Sequence, residues 1–335
     1  MQDNHISLAH GNGGRFMREL IEELFARYLS NPNLDVQADA VHLPINPKGE
    51  LLFTTDGFTV QPLEFPGGNI GSLAVHGTTN DLAVSGATPQ YLSLNAFIEE
   101  GFEVDQLERI IQGIADAAKA IDVQVVAGDT KVVRRGEGGG IYLATTGIGL
   151  RQPGLRLGLN QIQPGDQLLV SGPVGDHGIA VMLAREQFGL RGDLLSDAGS
   201  VLALTQSLLD LPGLRFMRDP TRGGLATVAH EISRATGYQV QLSQAAIPIR
   251  EPVISVCEML GYDPLYLACE GRVVAVVAPG DAETVLKRWH DLPEGESAAL
   301  IGTVTAEDPY VVLQTELGGA RILEELEDDP LPRIC

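Results

Sequence analysis

Residues 125–133 read VVAGDTKVV. Valines on either side of a Gly-Asp-Thr-Lys centre predict a buried strand that arrives at a glycine and then presents charge. In extended chain Asp129 and Lys131 stand two residues apart and face the same side. The strand has a helical neighbour, because 105–121 (DQLERIIQGIADAAKAI) carries apolar residues at helical spacing, with Asp105 and Glu108 placed as a cap and its reciprocal partner. A second strand follows at 141–149 (IYLATTGIG). Helix and strand alternate in this way along the whole chain, which gives an α/β (α+β) class.

Working outward, RFMRELIEELFARYL (15–29) sets Phe16, Leu20, Leu24 and Tyr28 on one helical stripe with Ile21 and Phe25 beside it, and ELLFTT (50–55) reads as a strand. The stretch 149–166 is rich in Gly and Pro and poor in apolar periodicity, so it marks a boundary. The expected organisation is an N-terminal domain over 1–155, a C-terminal α/β domain over 156–318, and a flexible tail over 319–335 that ends on Cys335.

The chain has 335 residues, and its hydrophobic share of 44% suffices for two cores. Its 44 acidic and 23 basic side chains give a formal charge of -21, which repels phosphate backbones and argues against nucleic acid. No apolar run approaches the ~20 residues of a membrane helix. The N-terminal MQDNHISLAHGNGG lacks the regions of a signal peptide. Cys257, Cys269 and Cys335 make no disulfide framework, so a cytoplasmic protein is expected. Cys257 and Cys269 read as small buried side chains. Histidines lack zinc-ligand spacing, and no Walker loop, GxGxxG helix start or G-x-S-x-G elbow occurs.

Chemistry concentrates in four segments that set aspartate among Gly, Thr and Asn: 54–71, 77–89, 125–133 and 217–226. Asp56 and Asp129 each follow an apolar strand and are expected to precede a turn, where side chains point into clefts. Taken singly, such an aspartate is a turn or cap residue. Several converging carboxylates require a cation between them, and magnesium suits oxygen ligands shared with phosphates. Lys131 beside them could neutralise a transferring phosphoryl group. Glu270, just ahead of the apolar strand VVAVV, could act as a base if its setting is dry. HGNGG (10–14) before the first helix could hold an anion on free amides. These residues alone leave open a kinase or synthetase acting on a free small molecule, and a carrier that presents Cys335 without catalysing anything.

The segments TTDGF, GGNIG, NDLAVSGATP, GDTKVV, MRDPTRGGLA, DPLYLACEG and the terminal LPRIC together resemble the HypE family of nickel–iron hydrogenase maturation proteins, from HGNGG to Cys335. NDLA and GDT by themselves resemble the wider group of aminoimidazole ribonucleotide synthetase, selenophosphate synthetase and thiamine-monophosphate kinase. The resemblance implies a two-domain aminoimidazole ribonucleotide synthetase-like fold. Its N-terminal sheet would join that of a second subunit in a homodimeric barrel, and an ATP cleft would be closed by the second domain. It implies partners: the carbamoyltransferase HypF, which loads Cys335, and the HypC–HypD complex, which receives cyanide. It implies a reaction, the ATP-dependent dehydration of a thiocarboxamide on Cys335 to a thiocyanate, with ATP and Mg2+ as cofactors. On that scheme Asp56, Asp81 and Asp129 are the magnesium ligands, with Asn80 and Thr130 in support. Lys131 is the cation at the phosphoryl group, and Glu270 is the base. Asp219 and Arg222 shape the phosphate site, and Gly11 and Gly13 contact phosphate. From Gly319 the tail would span ~50–55 Å at most, at ~3.3 Å per residue. Pro330 and Pro332 restrict its conformations and keep it off sheet edges.

Overall fold

The computed structural model describes residues 4–11, 15–36, 43–45, 48–185 and 192–326. They form two compact units, one of residues up to Leu82 with Ala87–Pro153, the other of Ala83–Gly86 and the chain from Gly154 on. The chain thus divides two residues ahead of the boundary expected after 155. Gly13 and Cys335 lie outside the described residues.

The first unit opens with α1 (Arg15–Leu20), a π-helical turn (Ile21–Phe25) and α2 (Ala26–Leu29). The wide turn shifts the buried stripe onto Leu20, Leu24, Phe25 and Leu29 and leaves Phe16 38% exposed. Then come β1 (Glu50–Phe58), a small hairpin of β2 (Glu64–Phe65) and β3 (Gly68–Asn69), α3 (Ile70–Val84), β4 (Ala87–Glu99), α4 (Val104–Ala120), β5 (Gln124–Val133) and β6 (Ile141–Arg151). Asn69 caps α3: its Oδ1 accepts from the amides of Gly71 and Ser72 at 2.8 and 3.0 Å, and Ser72 Oγ accepts from the Asn69 amide at 3.1 Å. The cap expected at Asp105 is not formed. α4 begins at Val104, Asp105 lies in its first turn, and Glu108 instead accepts from the Tyr28 hydroxyl, which ties α2 to α4. Leu107, Ile110, Ile111 and Ile114 form the buried face of α4 at the spacing read from sequence.

The four strands lie in the order β1-β6-β4-β5, antiparallel except for the parallel pair β4·β5. Alternation is strict in β6, where Ile141, Leu143 and Thr145 are buried while Tyr142 is exposed. The cross-strand partners Phe97 and Tyr142 share that outer face with Leu51 and Phe53, and the four are 37–67% exposed.

The second unit contains β7 (Gln167–Val170), α5 (Asp176–Ala184), α6 (Leu202–Gln206), β8 (Leu214–Arg218), α7 (Gly224–Thr236), β9 (Gln239–Ser243), α8 (Glu251–Leu260), β10 (Val274–Val277), α9 (Ala282–His290), β11 (Ala299–Thr305), β12 (Val311–Gln314) and β13 (Ala320–Ile322). Its sheet runs β13-β12-β9-β11-β7-β10-β8. β10 is apolar at every position, and β7 at all but Gln167, because both faces are covered there. Leu168, Val170, Val274 and Val276 pack with α7 residues such as Leu225 and Ile232. The alternate residues Leu169, Ala275 and Val277 pack with Leu204, Val285 and Trp289 on the other side.

The chain after 318 is not all tail. Ala320–Ile322 pairs antiparallel with β12, and Leu323 is fully buried in the unit's core. The sequence hides this because a three-residue edge strand beside acidic residues has no periodicity to read.

Candidate active site

In the first unit the chemistry-bearing residues fall in two places. Asp56 and Asp129 were expected at strand ends, but both lie within strands, since pairing continues past Gly57 and through Gly128. Asp56 pairs with Thr145 of β6, and that row continues to Leu94 of β4 and Gly128 of β5. Rows point to one face, so Asp56 faces the side on which Thr145 meets Thr78 of α3. Asp81 is on this side too: its Oδ2 accepts from Thr54 Oγ1 at 2.9 Å. Asn80, one residue earlier in α3, is buried.

Asp129 belongs to the next row, with Asn95 and Ala144, and so faces the opposite side. Its strand is also three strands from β1, roughly 14 Å at the usual interstrand spacing. The carboxylate meets Lys131 Nζ at 2.8 Å and accepts the Thr130 amide at 2.9 Å. Asp129 and Lys131 are both about half exposed, so the pair contributes about 0–1 kcal/mol and leaves both side chains available to a ligand. Thr130 is buried. Gly11 lies against the same strand: a Cβ there would stand 2.8 Å from Val132 Cβ.

One chain therefore does not gather Asp56, Asp81 and Asp129 around a single ion. Among the described residues no three His, Cys, Asp or Glu side chains could hold a metal. Asp56 and Asp81 share the α3 side of the sheet, and one or two carboxylates are what magnesium asks of a protein when nucleotide phosphates supply its other ligands. Gly128 has a packing reason. A Cβ there would stand 2.4 Å from the Leu94 carbonyl oxygen of β4. Gly128→Ala is expected to cost ~1–3 kcal/mol, read as a lowered midpoint in urea unfolding, because the β4·β5 pairing must yield.

His76 of α3 is largely enclosed, its Nδ1 has no hydrogen-bond partner, and burial pushes its pKa from 6.5 to about 4. The unfolded chain takes up this proton first, so stability is lost as pH falls from 6.5 toward 4. By pH 5 the loss from this group reaches about 2 kcal/mol. His76→Gln should lose that much less between pH 7 and pH 5, measured by urea unfolding at both pH values.

In the second unit the segment carrying Glu270 lies against the one carrying Asp219 and Arg222. The Cys269 amide donates to the Pro220 carbonyl at 3.0 Å. A Cβ on Gly224 would stand 2.5 Å from the Leu267 carbonyl oxygen. Glu270 is 4% exposed and Asp219 7%, so the dry setting expected for the glutamate is present. Composition and spacing gave no notice of the surrounding ionic network. Asp176, 1% exposed, sits 3.1 Å from Arg250 Nε and 3.5 Å from Arg272 Nη2. Burial still pushes its pKa up to about 6 against the pull of Arg250 and Arg272. The DHG at 176–178 and the arginine after CEG were the only signals, and each looks like an ordinary turn or surface residue.

The two described cysteines are alike in being buried. Burial pushes the Cys257 thiol up to about 12 and Cys269 well above its ordinary value. The thiolate is the reactive form, so neither is a sulfur nucleophile at neutral pH.

Family profiles described as "AIR synthase related protein, N-terminal domain" and "C-terminal domain" match residues 37–151 and 163–314. The chain is 45% identical over 337 residues to the carbamoyl dehydratase HypE of Azotobacter vinelandii, covering 100% of this chain and 98% of that one. The solved structure of hydrogenase maturation protein HypE in complex with ATP aligns with a TM-score of 0.93 at 41% identity, over 98% of this chain and 99% of that one. The HypE–HypF complex aligns with a TM-score of 0.80 at 42% identity, over 92% and 99%. Among the described residues no helix is long and apolar enough to cross a membrane. Likeness at this level from end to end shows common descent, and the chain belongs to the HypE family of carbamoyl dehydratases, within the AIR synthase-related proteins.

Proposed function

We propose that this protein carries a carbamoyl group as a thiocarboxamide on Cys335 and uses ATP to dehydrate it to a thiocyanate, the source of cyanide ligands in hydrogenase maturation. The observation that carries this reading is the end-to-end likeness to carbamoyl dehydratases, one of them solved with ATP. The chemistry follows from the leaving group. An amide oxygen departs poorly, whereas its phosphate ester departs readily. The carbonyl oxygen attacks the γ-phosphorus and ADP leaves. The nitrogen then gives up its two protons in turn, the C–O bond breaks, and C≡N and phosphate result.

Lys131 is the cation that meets the developing phosphoryl charge. Before nucleotide binds, its charge is held by Asp129, which keeps it aimed along the outer sheet face. Glu270 takes the amide proton from its dry setting. Asp219 and Arg222, on the neighbouring segment, shape the phosphate site. Asn80 and Thr130, both buried, support it. Gly11 lies against the strand that carries Lys131, and Gly11 and Gly13 are assigned the role of offering backbone amides to phosphate. Asp56 and Asp81, on the sheet face opposite Lys131, would hold magnesium together with the nucleotide, and the ion would supply charge neutralisation.

A homodimer is part of the reading. The outer face with Leu51, Phe53, Phe97 and Tyr142 is the kind of apolar patch that marks a protein interface. A second copy closing over it would form a barrel and bring its own Asp129 to a new neighbourhood. HypF is the partner that loads the sulfur, since a HypE–HypF complex aligns with this chain. HypC–HypD is the acceptor. All of this belongs in the cytoplasm, where thiols stay reduced.

The test is mass spectrometry of the C-terminal peptide after incubation with the carbamoyltransferase, carbamoyl phosphate and ATP. The thiocarboxamide should lose one water, and only when ATP is present. Loss without ATP, or ATP turnover on a free small molecule with the peptide unchanged, would overturn it.

A further inference from the structure

The backbone around Glu270 is held by one short strap, residues 196–199. Asp197, whose side chain is fully buried, accepts the Glu270 amide through Oδ1 at 3.2 Å and the Gly271 amide through Oδ2 at 3.3 Å. The Gly199 amide returns a bond to the Glu270 carbonyl at 3.3 Å. A single segment thus takes both backbone polar groups of Glu270. The approach is close enough to require glycine at 271, where a Cβ would stand 1.9 Å from the Asp197 carbonyl oxygen.

The strap is tied down in turn. Ser196 Oγ accepts the Ala198 amide at 2.9 Å and pairs with His177 Nδ1, at the start of α5, at 2.8 Å. Arg272 stands beside the carboxylate as an ion-pair neighbour: its Nε lies 3.4 Å from Asp197 Oδ2, and Nη2 lies 3.5 Å from Asp176 Oδ2. Arg272 is also anchored on backbone, donating from Nε to the Pro173 carbonyl at 3.0 Å and from Nη1 to the Glu294 carbonyl at 3.4 Å.

Stability gives no good reason for this arrangement. Desolvating each buried ion costs several kcal/mol, and apolar residues of similar volume often serve stability as well or better. What a carboxylate bridging two successive amides does provide is direction. Charge-assisted bonds on both sides of one residue fix its backbone, and with it the origin of its side chain.

We propose that Asp197, with Arg272 as its ion-pair neighbour, is a positioning residue for the reaction: it sets the place of the Glu270 carboxylate. The proposal rests on the reading of Glu270 as the base. Asparagine at 197 would offer an oxygen to one amide and an NH2 to the other, so the bridge opens while the volume stays. In the full-length protein carrying the carbamoyl group, Asp197→Asn is expected to slow single-turnover dehydration by about 10²-fold, with the ATP concentration for half-maximal rate unchanged. Arg272→Lys, which loses the planar fork, should move the same rate in the same direction. The double variant Asp197→Asn with Glu270→Gln should be no slower than Glu270→Gln alone, because Asp197 acts through Glu270. Rates are taken per folded molecule by circular dichroism. If Asp197→Asn fails to fold, Arg272→Lys and its double variant with Glu270→Gln decide the matter. A native rate in Asp197→Asn beside a slow Glu270→Gln removes this proposal alone. So does a double variant slowed by the product of the single effects. A native rate in Glu270→Gln removes the base and this proposal with it.

Discussion

A Cys335→Ala variant is expected to form no dehydrated product at any ATP concentration, while its affinity for ATP stays that of the native protein. The effect is complete because no other sulfur can stand in. Cys257, with its thiol pushed to about 12, is about 10⁻⁵ thiolate at neutral pH, and Cys269 is shifted the same way in the core. Isothermal titration with ATP and mass spectrometry of the C-terminal peptide measure the two halves of this expectation separately. Full ATP-dependent turnover in the variant would transfer the protein to the kinases and synthetases of its superfamily. A variant without product whose native parent also ignores ATP would make it a passive carrier.

Glu270→Gln is expected to slow dehydration by about 10²–10⁴-fold, the usual contribution of a positioned general base. The substitution keeps the volume and leaves untouched the backbone amide that Asp197 holds. ATP binding and the unfolding midpoint should therefore be close to native, and the loss should fall on the rate constant. The carbamoylated peptide should persist in the mass spectrum where the native protein has converted it. Rapid conversion in the variant would place the base elsewhere.

Much of this was legible in the sequence, for identifiable reasons. α4 could be read because Leu107, Ile110, Ile111 and Ile114 recur at the helical period, and β10 because its unbroken apolar run fits a strand covered on both faces. The pairing of Lys131 with Asp129 followed from the two-residue repeat of extended chain. What could not be read was relative placement. A strand carries its side chains to alternate faces, and only the register of β5 on β4 shows that Asp129 looks away from Asp56 and Asp81. The Asp176–Arg272–Asp197 network was hidden for a different reason: its members are 21 and 75 positions apart along the chain, and each alone resembles a surface charge. The cap at Asp105 was misplaced by one turn chemistry over another, because backbone pairing at His5 and Glu103 already fixes where α4 can start.

Leu323 is the last described residue buried in the core, so on the proposed reading the reach of Cys335 is counted from there. Tyr266 Oη holds the Glu324 carbonyl at 2.6 Å and Arg234 meets Glu325 at 3.1 Å, just beyond that anchor. Twelve residues follow Leu323, a leash of at most ~40–43 Å at ~3.3–3.6 Å per residue, against the ~50–55 Å counted from Gly319. If Cys335 carries the substrate as proposed, every station that loads, converts or unloads the sulfur must open within that radius of β13. The leash length thus acts as a ruler, admitting enzymes with shallow or close-docking active sites and shutting out deeper ones.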